Sequence, residues 1–247
     1  RAMAVVYDKE ELVDYFREQV PEKPEHPILI DKFLEHAVEV DVDALSDGKE
    51  VYVAGIMEHI EEAGIHSGDS ACVLPSFSLS YDHVALIAAQ AEALARELKV
   101  VGLMNIQFAI KGDDLYILEV NPRASRTAPF VSKATGVPLP YMATQVMLGK
   151  TLDELDPWSM RRGGFTCVKE AVLPFQRFPG VDIILGPEMH STGEVMGMGS
   201  DFPEAYYKSQ LASGQDLPQG GNVFISVNDR DKVAQLVGAR RHRGLPD

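Results

Sequence analysis

The feature that most constrains this chain is a stretch at 103–127 in which two alternating runs flank a turn signal, LMNIQFAIKGDDLYILEVNPRASRT. Glycine and aspartate between two alternating runs are typical of a β-hairpin. Successive side chains of a strand point to opposite faces, so one face of this hairpin is expected to be apolar. The members of that face are Met104, Ile106, Phe108, Ile110, Tyr116, Leu118 and Val120.

The opposite face of the predicted hairpin carries polar side chains, which are Asn105, Gln107, Glu119 and Asn121. If 112–114 forms a three-residue loop, Gln107 lies directly opposite Glu119, with Asn121 two residues further along. Carboxylate and amide oxygens grouped in this way suit a hard cation such as Mg²⁺. The pattern therefore predicts a metal site made of Gln107, Glu119 and Asn121.

Two arginines, Arg123 and Arg126, follow the hairpin directly. Their forked guanidinium groups are permanently charged and fit an oxyanion. The formal net charge of the whole chain is −14, and RRHR near the end is its only basic run. Nucleic acid and anionic membranes are therefore not expected as partners, because both need clustered Lys and Arg. A metal beside two arginines instead indicates phosphate chemistry.

The two cysteines, Cys72 and Cys167, are far apart and have no metal-ligand spacing. Buried free thiols in a reducing cytoplasm are the expected state. No apolar run reaches the roughly 18–20 residues that cross a bilayer. The chain opens on Arg1-Ala2-Met3 without a signal peptide, and we expect a cytoplasmic piece of a longer polypeptide.

Apolar periodicity predicts the remaining elements. Helices are expected at 10–20, 82–98, 129–135 and 139–148, and from Asp201 to about 211. Strands are expected at 28–34, 38–45, 51–57, 165–173, 193–198 and 222–227, with a long loop at 58–70 and a last helix from Asp229. Strand 38–45 has an acidic face, on which Asp41 and Asp43 are expected to be solvated. His59 is expected to be packed or hydrogen-bonded.

Three blocks carry a family resemblance: EVNPRASRTAPFVSKATGVPL, GIMEHIEEAGIHSGDSACVLP and LGPEMHSTGEVMG. These blocks, which follow one another along the chain in the family's order, resemble the large chain of carbamoyl-phosphate synthase, in particular its second ATP-grasp half. The resemblance runs from Arg1 to about Val237. It implies an α+β or α/β fold: the C-terminal lobe of an ATP-grasp domain, with a mixed or antiparallel sheet and flanking helices. The implied divisions are an ATP-grasp part at 1–148, a connecting tail at 149–213, and the first strand and helix of a methylglyoxal-synthase-like regulatory domain at 214–247.

The resemblance also assigns roles to residues of this sequence. Arg123 and Arg126 would hold the carbamate or carboxyphosphate anion, and Gln107, Glu119 and Asn121 would bind two Mg²⁺ or Mn²⁺ ions. Glu39 would bind the ribose hydroxyls, and the region of His59 would contribute to a K⁺ site. The implied ATP site consists of Lys32, Leu34, Glu39, Gly64, Ile65, His66, Ser67, Gln107 and Glu119.

The implied reaction is phosphorylation of carbamate by MgATP, giving carbamoyl phosphate and ADP for arginine and pyrimidine biosynthesis. The carbamate would come from bicarbonate and ammonia at another ATP-grasp half, and the ammonia from a small glutamine amidotransferase subunit. The rest of the large chain is thus an expected partner. The family's glycine-rich phosphate loop would precede Arg1, so we expect weak or no ATPase activity from these 247 residues alone.

Two alternatives remain open at this point. Another ATP-grasp ligase, such as a biotin carboxylase or a purine-pathway enzyme, shares the Glu-x-Asn pattern on a hairpin. The HSGDS and GPEMHSTGEVMG blocks favour the synthase over these. A non-catalytic regulatory or assembly module would make Glu119 and the arginines ordinary surface residues.

Overall fold

The computed structural model describes residues 4–20, 27–161, 163–175 and 183–215, together with single residues 180, 220, 224, 226, 227 and 232. The chain divides into two compact units, Arg1–Gln215 and Asp216–Asp247. Most of the second unit, including the predicted strand at 222–227 and the helix from Asp229, lies outside the described residues. The predicted domain at 214–247 therefore stays a prediction.

Fourteen elements are found in the part of the chain that is described. In order they are α1 (Lys9–Gln19), β1 (Val38–Asp47), β2 (Val51–Glu62), β3 (Cys72–Leu74), α2 (Tyr81–Glu97), β4 (Val101–Lys111), β5 (Asp114–Asn121), α3 (Ala128–Thr135), α4 (Leu139–Met147), α5 (Leu152–Leu155), α6 (Pro157–Met160), β6 (Thr166–Val172), β7 (Gly193–Gly199) and α7 (Phe202–Ala212). The strands form one sheet in the order β5-β4-β1-β2-β3-β6-β7. Every neighbouring pair is antiparallel.

Helices cover both faces of the sheet around β1 and β4. On one face, α2 packs its buried residues Ile87, Ala91 and Ala95 against alternate residues of those strands, including Phe108. On the other face, α3 and α4 bury a second cluster around Met142. Ser80 caps α2 by accepting a hydrogen bond from the backbone N–H of His83, as its position before the apolar stripe predicts. The expected antiparallel sheet with flanking helices is confirmed.

The predicted hairpin is present, but its turn and one of its faces differ from expectation. Lys111 pairs with Asp114 across a two-residue turn rather than a three-residue loop. A bulge between Gln107 and Phe108 adds one residue to β5 and restores the predicted pairing of Gln107 with Glu119. Because a bulge shifts side chains to the other face, the placement of Tyr116 and Leu118 on the apolar face is wrong. Leu118 instead lines the cleft described below.

Several other predictions need correction. Residues 28–34 form no strand, and β2 extends to Glu62 where a loop was expected from residue 58. Strand β3 was missed because it has only three residues. Both cysteines are free and buried, as predicted.

The helices of the described residues are short or polar. Not one of these described helices has the length and the apolar character needed to cross a bilayer.

Candidate functional site

A cleft of about 480 Å³ opens on the face of the sheet that carries α3 and α4. It is lined by residues of five strands and of the loops at 64–68 and 122–127, together with Leu29, Asp31 and Pro187 from other loops. Ten of the residues that sequence reasoning selected line it: Glu39, Gly64, Ile65, His66, Ser67, Gln107, Glu119, Asn121, Arg123 and Arg126. Residues that are up to 87 positions apart in sequence are thus brought to one place.

Lys32 and Leu34 are not among the residues that line the cleft. Lys32 is exposed, and the carbonyl oxygen of Leu34 accepts a hydrogen bond from Ala37 at 3.3 Å within a turn. Leu29 and Asp31, a few residues earlier, line the cleft instead. The adenine-side roles of Lys32 and Leu34 stay predictions.

Two rows of polar side chains cross β1, β4 and β5 on the cleft face. Directly paired residues of antiparallel strands point to the same face. The first row is Asp41, Gln107 and Glu119, and the second is Asp43, Asn105 and Asn121. The hairpin pattern was enough to identify the members of these rows on β4 and β5. It could not show that Asp41 and Asp43 of β1 continue the rows, because β1 is distant in sequence.

The predicted metal ligands leave oxygen atoms available. Asn121 Nδ2 donates to Glu119 Oε1 at 2.7 Å, and Gln107 Nε2 donates to Ser67 Oγ at 2.8 Å. Both amides therefore use their nitrogen atoms in these contacts, and their oxygens remain as ligands beside the carboxylate. One carboxylate and two amide oxygens fit the oxygen-only preference of Mg²⁺ and Mn²⁺.

The two arginines lie at the end of the same hairpin. Arg123 Nη1 donates to the carbonyl oxygen of Ala124 at 3.1 Å. Neither guanidinium lies within 4.0 Å of a carboxylate belonging to the described residues. Burial raises the pKa of Glu194 in the same cleft, and the charges of Lys169 and Arg126 oppose that rise. The arginines are therefore exposed cations without a carboxylate ion pair among the described residues, although the charge of Arg126 acts on Glu194 at longer range.

The acidic face of β1 is buried, so the prediction that Asp41 and Asp43 are solvated is wrong. Each is 2% exposed. The cause is tertiary: Asp41 contacts His59 of β2 and Asn105 of β4, and Asp43 contacts Asn105 and the segment 122–127. Asn105 Nδ2 donates to Asp43 Oδ1 at 3.1 Å, and Thr127 Oγ1 donates to Asp43 Oδ2 at 2.7 Å. Burial raises the pKa of Asp43 to about 6, although these hydrogen bonds oppose the rise.

His59 lies between two carboxylates of β1, which confirms that it is hydrogen-bonded. Its Nε2 is 3.0 Å from Asp41 Oδ2, and its Nδ1 has a longer contact of 3.4 Å with Glu39 Oε2. Burial alone would lower the pKa of His59, but the neighbouring Cys72, Asp41 and Glu39 raise it well above its usual value. Asp41, His59 and Cys72 lie within 4.8 Å of one another, as metal ligands do. His59 and the two carboxylates of β1 therefore form a buried polar cluster beneath the cleft.

Lys169 is a cleft residue that sequence reasoning missed. It lies in β6, is 1% exposed, and donates from Nζ to the carbonyl oxygen of Ser67 at 3.1 Å. Burial would lower the pKa of Lys169, but electrostatic interactions with its neighbours, Cys72 first and then Glu194, raise it. The sequence signal that could have identified it is a lysine in the middle of TCVKEAV, which is otherwise typical of a buried strand.

The loop at 64–68 is held by contacts with distant parts of the chain. The N–H of Gly64 donates to Glu39 Oε1 at 3.2 Å, and the N–H of His66 donates to the carbonyl oxygen of Gly186 at 2.8 Å. Asp69 accepts the backbone N–H groups of His190 and Ser191 at 2.7 and 2.8 Å. The HSGDS and GPEMHS blocks are therefore in direct contact in the folded chain.

The fold and the cleft define an ATP-grasp domain. The structure is similar to that of the biotin carboxylase domain of a single-chain bacterial carboxylase, with a TM-score of 0.55 and 19% identity over 67% of this chain and 37% of that one. The family model "Carbamoyl-phosphate synthase L chain, ATP binding domain" matches residues 1–155. The chain belongs to this family.

Curated relatives agree with the family assignment. The carbamoyl phosphate synthase large chain of Methanothermobacter thermautotrophicus is 58% identical over 242 residues, which are 96% of this chain and 23% of that protein. The large chain of Myxococcus xanthus is 57% identical over 246 residues, 99% of this chain and 23% of the relative. The "large chain, C-terminal section" of Methanocaldococcus jannaschii is 52% identical over 243 residues, 94% of this chain and 39% of the relative. The chain thus spans less than half the length of these relatives.

Proposed function

We propose that this chain forms one side of a site that phosphorylates carbamate with MgATP to give carbamoyl phosphate and ADP. The observation that carries the proposal is the convergence of three oxygen ligands and two arginines at one end of one hairpin. Large-chain relatives at 52–58% identity support carbamoyl phosphate as the product and disfavour a biotin carboxylase. The reaction class is phosphoryl transfer, because metal ions and arginines together can hold an anionic acceptor in line with the terminal phosphate of ATP.

Gln107, Glu119 and Asn121 would hold two Mg²⁺ or Mn²⁺ ions. These ions neutralise phosphate charge during transfer. Phosphoryl transfer needs little covalent help from the protein, so positioning and charge account for most of the catalysis. The hydrogen bond from Gln107 to Ser67 fixes the amide while its oxygen stays available to the ion.

Arg123 and Arg126 would bind the one-carbon anion and orient it toward the transferred phosphate. Their guanidinium groups are exposed in the cleft and have no carboxylate partner within 4.0 Å among the described residues. They therefore have full charge available for a ligand.

The nucleoside would lie along β1 and the loop at 64–67. Glu39 would accept hydrogen bonds from the ribose hydroxyls, and the N–H of Gly64 already donates to its carboxylate. Gly64, Ile65, His66 and Ser67 line the cleft beside it, while Lys32 and Leu34 would border the adenine. A K⁺ ion near His59 belongs to the same proposal.

The wider setting is proposed from the family alone. The product would serve arginine and pyrimidine biosynthesis in the cytoplasm. The partners would be the rest of a large chain and a small glutamine amidotransferase subunit. We expect the isolated 247 residues to bind MgADP but to hydrolyse ATP weakly or not at all.

Calorimetric titration of the purified chain with MgADP tests the proposal. Glu119→Gln removes the single charged ligand and should abolish measurable binding, because a neutral amide neutralises no metal charge. Asp114→Asn is the matched control: it lies at the turn of the same hairpin and outside the cleft, and should bind as the unaltered chain does. Equal binding by the Glu119→Gln variant and the unaltered chain would contradict the metal assignment.

A further inference from the structure

The carboxylate of Asp43 accepts more side-chain donors than a solvated strand residue would. Ser125 Oγ and Thr127 Oγ1 each donate to it at 2.7 Å, and Asn105 Nδ2 donates at 3.1 Å. Ser125 Oγ also accepts the N–H of Ala128, the first residue of α3, at 2.9 Å. A carboxylate has acceptor positions for all three donors, which an apolar strand residue would leave unpaired.

These hydrogen bonds fix the short segment 122–127 that carries both arginines. Ser125 and Thr127 flank Arg126 directly, and Arg123 lies two residues before Ser125. The guanidinium groups have no carboxylate within 4.0 Å among the residues that the structure describes, so no ion pair there holds them in place. Their positions therefore depend on the backbone that Asp43 anchors.

A second buried carboxylate shows what a purely structural anchor looks like. Glu58 on β2 is 2% exposed and accepts the N–H groups of Phe77 and Ser78, each at 2.9 Å, as well as the hydroxyl of Ser78. It also joins a strand to a loop, but it does not line the cleft and its loop carries no cleft residue. Asp43 and Glu58 thus form a matched pair that differs in what the anchored loop contains.

We propose that Asp43 is a positioning residue for the anion subsite. Through Ser125 and Thr127 it sets the placement of Arg123 and Arg126 for an oxyanion. This inference rests on the proposed function, which assigns the arginines to an anion. It goes further by separating the anion subsite from the nucleotide subsite, because Gln107, Glu119 and Asn121 make no hydrogen bond with Asp43.

Two calorimetric titrations test this separation. The first measures the Kd for MgADP, and the second measures the Kd for inorganic phosphate added to the MgADP-saturated chain. For Asp43→Asn and for Ser125→Ala we expect phosphate to bind about tenfold more weakly, as loss of a charge-assisted hydrogen bond predicts. The Kd for MgADP should stay within about twofold, and Glu58→Gln should change neither value by more than that.

Further variants guard against a folding defect. Ser125→Thr keeps the hydroxyl and should restore phosphate binding, which a general loosening of the segment would not allow. The double variant of Asp43→Asn with Ser125→Ala should lose no more affinity than Asp43→Asn alone, because both remove the same interaction. If Asp43→Asn does not fold, the Ser125→Ala and Ser125→Thr pair decides the question.

Several results would overturn the inference. They are unchanged phosphate affinity in the Asp43→Asn and Ser125→Ala variants, parallel losses of phosphate and MgADP affinity, or an equal effect of Glu58→Gln. An unaltered chain that binds MgADP but no phosphate would overturn this inference alone. An unaltered chain that does not bind MgADP would contradict the proposed function, and this inference with it.

Discussion

Replacing Glu170 by glutamine is expected to change how the stability of this chain depends on pH. Glu170 lies in β6, is 8% exposed, and accepts a hydrogen bond from Gln210 Nε2. Burial, and after it the charge of Glu61, raises the pKa of the Glu170 carboxyl from 4.5 to about 7. Between these two values the folded chain binds a proton that the unfolded chain does not. The free energy of unfolding therefore falls as the pH rises through this window.

The size of the effect follows from the two pKa values. The interval from 4.5 to about 7 corresponds to roughly 3 kcal/mol of unfolding free energy, at about 1.4 kcal/mol per pH unit. This contribution is fully present below pH 4.5 and is lost above about pH 7. The Glu170→Gln variant has no such proton to lose. Relative to the unaltered chain it should therefore gain about 3 kcal/mol between pH 4.5 and pH 8.

Urea denaturation at half-unit pH steps measures this difference. Asp43, with a pKa raised to about 6, titrates in both proteins and cancels from the comparison. Glu204→Gln is the control, because a hydrogen bond from Lys208 lowers the pKa of Glu204 to about 2 and its titration ends below the window. Its difference curve should be flat from pH 5 to 8. A flat curve for Glu170→Gln, or one that slopes the other way, would refute the reasoning.

Three further substitutions test the packing and the buried charge, each followed by chemical denaturation. Gly197→Ala should cost about 3 kcal/mol or more, because its new Cβ would overlap the backbone of α7, whereas Gly163→Ala has no atom within 4 Å and should cost under about 1 kcal/mol. Phe108→Ala should cost about 3–5 kcal/mol, since the ring is fully buried against α2. Lys169→Met should cost about 3 kcal/mol at pH 7 and less at pH 5, where nearby carboxylates can take up protons, while Lys208→Met at the exposed surface should cost under about 1 kcal/mol.

Local sequence was sufficient to predict the hairpin and the polar residues that it brings together. The alternation of β4 and β5 predicted that Gln107 and Glu119 are paired, and they are. The structure reaches this pairing in a different way from the one predicted. A two-residue turn followed by a bulge brings Gln107 opposite Glu119, as a three-residue loop would have done. Beyond the pair they differ, which is why the positions of Tyr116 and Leu118 were wrong. Turn length and bulges are coupled, and no local pattern separates them.

The buried charges could not be predicted from the same information. The alternation of β1 is that of a strand with one solvated face, and for Asp41 and Asp43 the solvated state is the common one. What buries Asp43 is a segment 82 and 84 residues further along the chain, through Ser125 and Thr127. Lys169 is likewise explained only by the loop residue Ser67, 102 positions away. Burial of a charged side chain depends on such distant partners, so periodicity alone cannot reveal it.

Ser67 shows how these distant contacts make one site out of separate elements. Its hydroxyl accepts from Gln107 on β4, and its carbonyl oxygen accepts from Lys169 on β6. The loop that carries it is fixed at Gly64 by Glu39 on β1. A shift of this loop would therefore break hydrogen bonds to three strands at once, and one of those partners is a buried cation that has no other acceptor among the described residues. Because breaking such contacts is costly, the loop should keep its place when the cleft is empty, and binding should require little ordering of it.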